Sequence, residues 1–152
     1  MNYRLRKATA RDFEPINRLF KEMLQSIYET GPAQGYAPGA LDYYFSGGEN
    51  WICVAESDGV IVGFLAIEVH REDAAYLYYD DCCVSKACRN QGIGSALMNA
   101  AEAYGADLGI STAVLHVETR NQAAQRLYGR RGFSPLREDG SRLCMIKHFT
   151  NE

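Results

Sequence analysis

The sequence has no excess of positive charge, no long apolar run and no paired cysteines. Its 152 residues carry a net charge of −3 and its pI is about 5.6, so it lacks the basic surface typical of nucleic-acid-binding proteins. Residues 1–11 are polar and mixed, unlike a signal peptide, and no apolar run is long enough to span a bilayer. We therefore expect a cytoplasmic protein with no nucleic-acid or membrane partner.

The cysteines predict neither a redox motif nor a metal centre. Their number is odd, no C-x-x-C spacing occurs, and their spacing relative to the histidines matches no tetrahedral zinc site. In a protein that is not exported they stay reduced, and we expect them to serve as small core residues. The five positions are Cys53, Cys82, Cys83, Cys88 and Cys144.

Hydrophobic spacing predicts alternating strands and helices in a single domain over residues 1–152. The predicted strands cover residues 2–7, 51–56, 60–70, 74–84, 111–117, 133–137 and 142–147, and the predicted helices cover 13–27, 40–45, 93–108 and 122–130. Three consecutive strands form an antiparallel meander, whereas a helix separates the strand ending at Val84 from the next, which predicts a parallel pair. The fold class is therefore α/β, with a mixed, mostly antiparallel sheet of about seven strands and helices on both faces.

A glycine turn lies where this pattern changes, in the order Arg89-x-x-Gly92-x-Gly94. Glycine allows close approach of the backbone, and the N–H groups of a helix start bind anionic oxygens such as phosphate. A Walker loop is excluded because no lysine follows Gly94, and a dinucleotide fingerprint is excluded because Leu97 stands where its third glycine would be. A glycine-containing helix start without a ligand is the alternative interpretation.

Residues downstream of the turn narrow this choice. Residues 81–84, the glycine turn, Leu115-His116-Val117, Asn121-x-x-Ala124-x-x-Leu127-Tyr128 and Gly132-Phe133 follow one another in that order. Together they resemble the GNAT superfamily of acetyl-CoA-dependent N-acetyltransferases over about residues 74–137. The resemblance implies a splay between the two parallel strands, an acetyl-CoA cosubstrate and no metal. A non-catalytic module that binds acyl-CoA is the competing interpretation.

The resemblance also implies positions for coenzyme A. The pyrophosphate would lie on the turn, and the pantetheine arm would pair with the preceding strand and contact the next helix. The implied cofactor residues are Cys82, Cys83, Val84, Arg89, Asn90, Gln91, Gly92, Ile93, Gly94, Ser95, Asn121, Ala124 and Tyr128. The backbone N–H of Cys83 or Val84 would stabilise the oxyanion. Tyr128 matches the family's usual general acid; its alternative is a helix aromatic that covers the core.

The proton acceptor is less closely defined by the sequence. His116 occupies a position at which some family members have a base, and histidine changes its charge readily near neutral pH. Asp80 and Asp81 end the preceding strand, and which of them faces the acceptor depends on whether the strand contains a bulge. Glu118 and bulk water are further candidates. The alternatives are a hydrogen-bonded core histidine and an exposed pair of carboxylates.

The acceptor is predicted to be a primary amine of a small molecule or a peptide. Tyrosines of the first two helices and their connecting loop, including Tyr28 and Tyr36, would line its pocket, and Asp81 or Asp80 would attract its charge. These tyrosines could instead pack in the core with their hydroxyls at the rim. The oligomeric state stays open, and a homodimer is one candidate because dimers are common in the family that the sequence resembles.

Overall fold

The protein is built around an open sheet that this computed structural model describes over residues 2–28 and 33–149, without the side chains of residues 27 and 28. Within these residues the strands are β1 (Arg4–Lys7), β2 (Trp51–Ser57), β3 (Val60–His70), β4 (Tyr76–Val84), β5 (Thr112–Glu118), β6 (Ser134–Asp139) and β7 (Arg142–His148). The described strands lie in the order β1-β2-β3-β4-β5-β7-β6. The pair β4 and β5 is parallel, and the other neighbours are antiparallel. The predicted mixed α/β sheet is thus confirmed.

Helices cover both faces of this sheet. They are α1 (Phe13–Tyr28), α2 (Asp42–Phe45), α3 (Ile93–Asp107) and α4 (Gln122–Arg130), with single 3₁₀ turns at Ala10–Asp12 and Lys86–Cys88. Ile16 and Leu19 recur on one face of α1 at helical spacing and are buried on the α1 side with Phe64 of β3. Leu97 and Ala101 of α3 pack on the opposite face of the sheet. No helix among the described residues is long and apolar enough to cross a membrane.

An irregularity in β4 determines where the acidic side chains point. The pairing of β3 with β4 shifts between Leu65, opposite Cys82, and Ile67, opposite Tyr79. Asp80 and Asp81 therefore share the single β3 position between them, which is a bulge. Alternation along a strand would direct these neighbours to opposite faces, whereas the extra residue places both on the α1 side.

The parallel pair separates just beyond this bulge. The pairing of β4 with β5 ends at Tyr79 and Leu115, although β4 continues to Val84 and β5 to Glu118. The edge of β4 that would face β5 therefore lacks strand pairing over these last residues. This is the splay that the resemblance implies.

Candidate active site

A cavity of about 220 Å³ opens where β4 and β5 separate. Phe20 and Met23 of α1 line it from one side of the sheet, and Ala124 and Tyr128 of α4 line it from the other. Several residues predicted for the site meet here, namely Asp80, Asp81, Cys82, His116, Asn121, Ala124 and Tyr128. The cavity therefore has lining residues from both faces of the sheet, at the place where β4 and β5 are no longer paired.

The glycine turn has a backbone suited to an anion. Asn90 and Gly92 have positive φ angles of 63° and 78°, and α3 begins directly afterwards at Ile93. Gly92 occupies the N-cap position without a side-chain cap, and the first turn of α3 contains no acidic residue. The N–H groups at the start of α3 consequently have no intrahelical partner, and the helix dipole favours negative charge there.

Tyr128 lies on the α4 side of the cavity. Its ring packs edge-on against Phe133 with centroids 6.0 Å apart, and no described residue hydrogen-bonds to its hydroxyl. Burial raises the pKa of Tyr128 well above its usual value. The hydroxyl therefore keeps its proton at neutral pH, as a general acid must.

Asn121 forms the start of α4. Its side-chain oxygen accepts a hydrogen bond from the Ala124 N–H at 3.2 Å, which is an N-cap contact. This contact fixes the first turn of α4 at the cavity wall, where both residues lie. It also orients the rest of the helix, including Tyr128 one turn further on.

The two carboxylates of the bulge are held by tyrosine hydroxyls. Tyr36 donates to Asp81 Oδ2 at 2.5 Å, and Tyr44 donates to Asp80 Oδ2 at 3.2 Å and to Glu68 Oε2 at 2.9 Å. Burial raises the pKa of Asp81 to about 7; the negative charge of Asp80 acts in the same direction, and the Tyr36 hydrogen bond opposes it. Burial also raises the pKa of Asp80. Asp81 therefore exchanges protons near neutral pH.

His116 makes hydrogen bonds through both ring nitrogens. Nδ1 lies 2.7 Å from the Tyr78 hydroxyl, and Nε2 lies 2.8 Å from Asp139 Oδ2. The His116 side chain is only 13% exposed. These contacts match the alternative of a hydrogen-bonded histidine, but they also place the ring in the cavity wall, so they leave its predicted catalytic role open.

The other predicted residues lie around the cavity. Tyr36 reaches the site through Asp81, whereas the Tyr28 side chain lies outside the described residues. The Cys83 thiol faces the α1-side core and donates to Met23 Sδ at 3.3 Å, so only its backbone is available to a cofactor. Burial raises the pKa of the Cys82 thiol to about 12, so that thiol stays protonated.

Several residues of the site were not predicted, among them Arg142, which lines the cavity. Glu68 shares the Tyr44 hydroxyl with Asp80, and Asp139 contacts His116. Glu68 lies two positions beyond Ala66, on the same face of β3, so alternation along the strand could have indicated it. Asp139 has no comparable local signal, because its contact depends on how the β6–β7 hairpin returns to β5.

Comparison with known proteins shows to which family this chain belongs. The family model described as "Acetyltransferase (GNAT) family" matches residues 14–133. The chain belongs to the GNAT acetyltransferase family. The relatives of this acetyltransferase include an uncharacterized N-acetyltransferase of Methanocaldococcus jannaschii, 28% identical over 155 residues, an alignment that covers 97% of this chain and 92% of the relative.

Solved structures that share the fold of the acetyltransferase include two that were determined with ligands. The PaiA N-acetyltransferase of Thermoplasma acidophilum, in complex with coenzyme A, superposes with a TM-score of 0.81 at 19% identity, covering 98% of this chain and 100% of that one. Arabidopsis thaliana Naa50, in complex with the bisubstrate analogue CoA-Ac-MVNAL, gives a TM-score of 0.76 at 19% identity, with coverages of 98% and 100%. Family membership makes this protein an acetyl-CoA-dependent N-acetyltransferase, as the sequence resemblance implies.

Proposed function

We propose that this acetyltransferase transfers the acetyl group of acetyl-CoA to a cationic primary amine by direct attack within a ternary complex. The observation that carries the proposal is the cavity through the splay, with Asp81 on the α1 side and Tyr128 on the α4 side. Acetyl-CoA would enter from the α4 side and the amine from the α1 side. The two reactants then meet without a covalent acyl-enzyme.

Coenzyme A would lie along the glycine turn and the free edge of β4. The backbone N–H groups of residues 89–94 and the Ser95 hydroxyl would hold the pyrophosphate. Backbone groups of Cys82 and Val84 would pair with the pantetheine amides, since that edge has lost its β5 partner. Asn121 and Ala124 would contact the pantetheine arm from α4.

The acyl transfer then needs one hydrogen-bond donor and one acid. The amine nitrogen bonds to the thioester carbonyl carbon, and the resulting oxyanion accepts a hydrogen bond from the Cys83 or Val84 N–H. When the carbon–sulfur bond breaks, the departing thiolate takes the proton of the Tyr128 hydroxyl. The products are an acetylated amine and free coenzyme A.

The amine must lose a proton before it can attack. Asp81, together with Asp80, would attract the ammonium ion to the α1 side of the cavity. The ammonium proton would pass to the Tyr78 hydroxyl, and the Tyr78 proton would pass to Nδ1 of His116, 2.7 Å away. His116 is thus the proposed base, acting through a tyrosine that the sequence suggests only as a pocket aromatic.

The acceptor class follows from the groups that surround the entrance. Tyr36 and the two bulge carboxylates favour a positively charged amine of a small molecule or a peptide. The cytoplasmic location stays a prediction, and a homodimer stays one candidate for the oligomeric state.

An assay of free coenzyme A release over a panel of amines and peptides tests this function. We expect release with at least one cationic amine, and we expect Tyr128→Phe to lower kcat by about 10-fold or more because the thiolate then leaves without its acid. The affinity for acetyl-CoA, measured by calorimetry, should stay close to wild type. Tight cofactor binding with no release for any acceptor would instead support a non-catalytic acyl-CoA-binding module. Unchanged turnover in Tyr128→Phe would remove Tyr128 from the mechanism.

A further inference from the structure

A chain of side-chain hydrogen bonds joins residues of β4, β5 and β6 beside the cavity, although β7 lies between β5 and β6 in the sheet. It runs from the Tyr78 hydroxyl of β4 to Nδ1 of His116 on β5, and from Nε2 of His116 to Oδ2 of Asp139 on β6, over distances of 2.7 and 2.8 Å. Arg137 is the last member of this series of hydrogen bonds. Its Nε donates to both carboxylate oxygens of Asp139, at 3.0 and 3.1 Å. The chain meets the cavity at His116, which lines the cavity wall next to Tyr78. Its far end reaches the surface, where Asp139 is 35% exposed.

The chemistry of Asp139 determines which nitrogen of His116 carries the proton. The hydrogen bond from His116, followed by that from Arg137, lowers the pKa of Asp139, so its carboxylate is ionised and can only accept. The Nε2 atom must therefore donate. In the neutral ring, Nδ1 is then the acceptor, and the Tyr78 hydroxyl donates to it.

We propose that Asp139 is a positioning residue, which holds His116 in the tautomer protonated at Nε2 so that Nδ1 can take a proton from Tyr78. This inference rests on the proposed function, in which His116 is the base. Asp139 contacts His116 from the far side of the ring, so it acts through His116. Its negative charge would also stabilise the imidazolium that forms when Nδ1 is protonated.

Each proton transfer in this relay is balanced. An N–H bond of the ammonium breaks as an O–H bond forms on Tyr78, and the original Tyr78 O–H bond breaks as an N–H bond forms at Nδ1. The Nε2 proton stays on His116, where Asp139 accepts its hydrogen bond. The proton at Nδ1 then returns to solvent before the next turnover.

Other groups that surround His116 must be considered in any pH experiment. Tyr78 and Asp80 approach from β4, Glu118 lies on β5, Arg137 and Asp139 on β6, and Arg142 and Cys144 on β7. The side chains that α1 contributes to the cavity are apolar. Cys144 is buried opposite His116 across the β5–β7 pair, and burial raises the pKa of its thiol, so this thiol stays neutral near pH 7.

The test compares Asp139→Asn with Glu138→Gln, two isosteric substitutions that each remove one negative charge from adjacent positions of β6. In Asp139→Asn, the single amide oxygen is expected to turn toward the Arg137 donor, which presents the amide NH₂ group to Nε2 of His116. The ring must then accept at Nε2 and carry its proton at Nδ1. Glu138 is exposed, and the substitution there should leave His116 unchanged.

Ring ¹⁵N spectra report this tautomer directly. The chain has 3 histidines, and the His116 signals are assigned by their loss in His116→Gln. We expect the Nε2–H form in wild type and Glu138→Gln, and the Nδ1–H form in Asp139→Asn. The kcat of Asp139→Asn should fall by about 10-fold or more at an unchanged acetyl-CoA KM, and its pH–rate profile should change.

The spectra test the tautomer of His116, and the kinetics test its role as the base. An unchanged tautomer in Asp139→Asn overturns the positioning role, and so does a changed tautomer with unaltered kcat and pH–rate profile. If the tautomer follows Asp139 but His116→Gln keeps full activity, the base proposed for the reaction is wrong. In that case the relay proposal is overturned, while the spectra still show that Asp139 sets the tautomer.

Discussion

Single hydroxyl groups control the charge of the acceptor side. Tyr36 and Tyr44 each donate to one carboxylate of the bulge. Burial favours the protonated form of Asp81 and the Tyr36 hydrogen bond favours the ionised form, and the net effect is a pKa of about 7. At this residue, a small change in pH or environment therefore changes the charge that an incoming amine meets.

The first prediction at this scale concerns the pH dependence of kcat/KM for the amine. If ionised Asp81 binds the ammonium, kcat/KM rises with pH through an ionisation near 7 and falls about tenfold per pH unit below it. Asp81→Asn should remove the contribution of Asp81 to this acidic limb and lower kcat/KM at pH 8 by about 10-fold or more. Stopped-flow or steady-state rates from pH 5.5 to about 9 measure both effects.

Asp80→Asn serves as the matched control for this profile. It removes the neighbouring negative charge that helps raise the pKa of Asp81, so the ionisation should move to lower pH but persist. An Asp81→Asn profile with the same shape as that of wild type would show that Asp81 does not contribute to the pH dependence.

At the scale of elements, the bulge and the glycine turn act on one strand. The bulge directs two carboxylates toward the acceptor side, and the turn places the start of α3 beyond the end of β4. Gly94 lies close to this strand, since a Cβ added there would meet Val84 Cγ2 at 4.0 Å, an ordinary contact. Gly92 differs because its φ of 78° is a conformation that other residues rarely adopt.

The turn therefore predicts opposite effects of two similar substitutions. Gly92→Ala forces a Cβ into left-handed backbone and should lower the free energy of unfolding by about 1–2 kcal/mol, with weaker binding of coenzyme A. Gly94→Ala lies within α3, where alanine is about 0.5–1 kcal/mol more favourable than glycine, so it should be neutral or stabilising. Urea unfolding and calorimetric titration of coenzyme A measure the difference. Equal stabilities of the two variants would argue against a strained turn.

At the scale of the whole molecule, the sheet separates the proposed binding sites of the two reactants. The cavity connects an α4 side lined by Tyr128 with an α1 side where Asp80 and Asp81 lie. The acidic side chains sit on a packed surface next to the α1-side core, so their charge costs stability to the entire fold. The ionisation of these carboxylates should therefore lower the free energy of unfolding.

The ionisation of Asp81 makes the free energy of unfolding depend on pH. Its pKa is raised from 3.8 to about 7 on folding, so between these values the folded protein binds more protons than the unfolded chain. The free energy of unfolding therefore falls as pH rises from about 4 to 7, by up to roughly 4 kcal/mol from this group alone. In Asp81→Asn, the free energy of unfolding should not decrease in this way, and the variant should be more stable than wild type at pH 8.

Urea unfolding at pH 5 and pH 8 measures this effect as a difference between proteins, which cancels the contributions of other ionisable groups. Asp58→Asn is the matched control, because Asp58 is exposed in the β2–β3 turn at a φ of 51° that asparagine tolerates. The Asp58→Asn curve should run parallel to wild type. If the Asp81→Asn curve also runs parallel to wild type, the buried charge of Asp81 does not limit stability.

The sequence alone determined the parts of this protein that depend on neighbours in the chain. Strand and helix periodicity, the glycine turn and the Asn121 cap each lie within a few residues, so local spacing encodes them. The family motifs are also local, because each lies within one strand, one turn or one helix.

Only the tertiary structure decided how the charged groups meet. Strand alternation predicts that either Asp80 or Asp81 faces the acceptor, and the bulge opposite Ala66 brings both to the same face. The contact between Tyr36 and Asp81 joins residues 45 positions apart, and that between His116 and Asp139 joins residues 23 positions apart. Such contacts depend on strand register and on the return of a hairpin, which are set by packing across the sheet and leave no pattern in the local sequence.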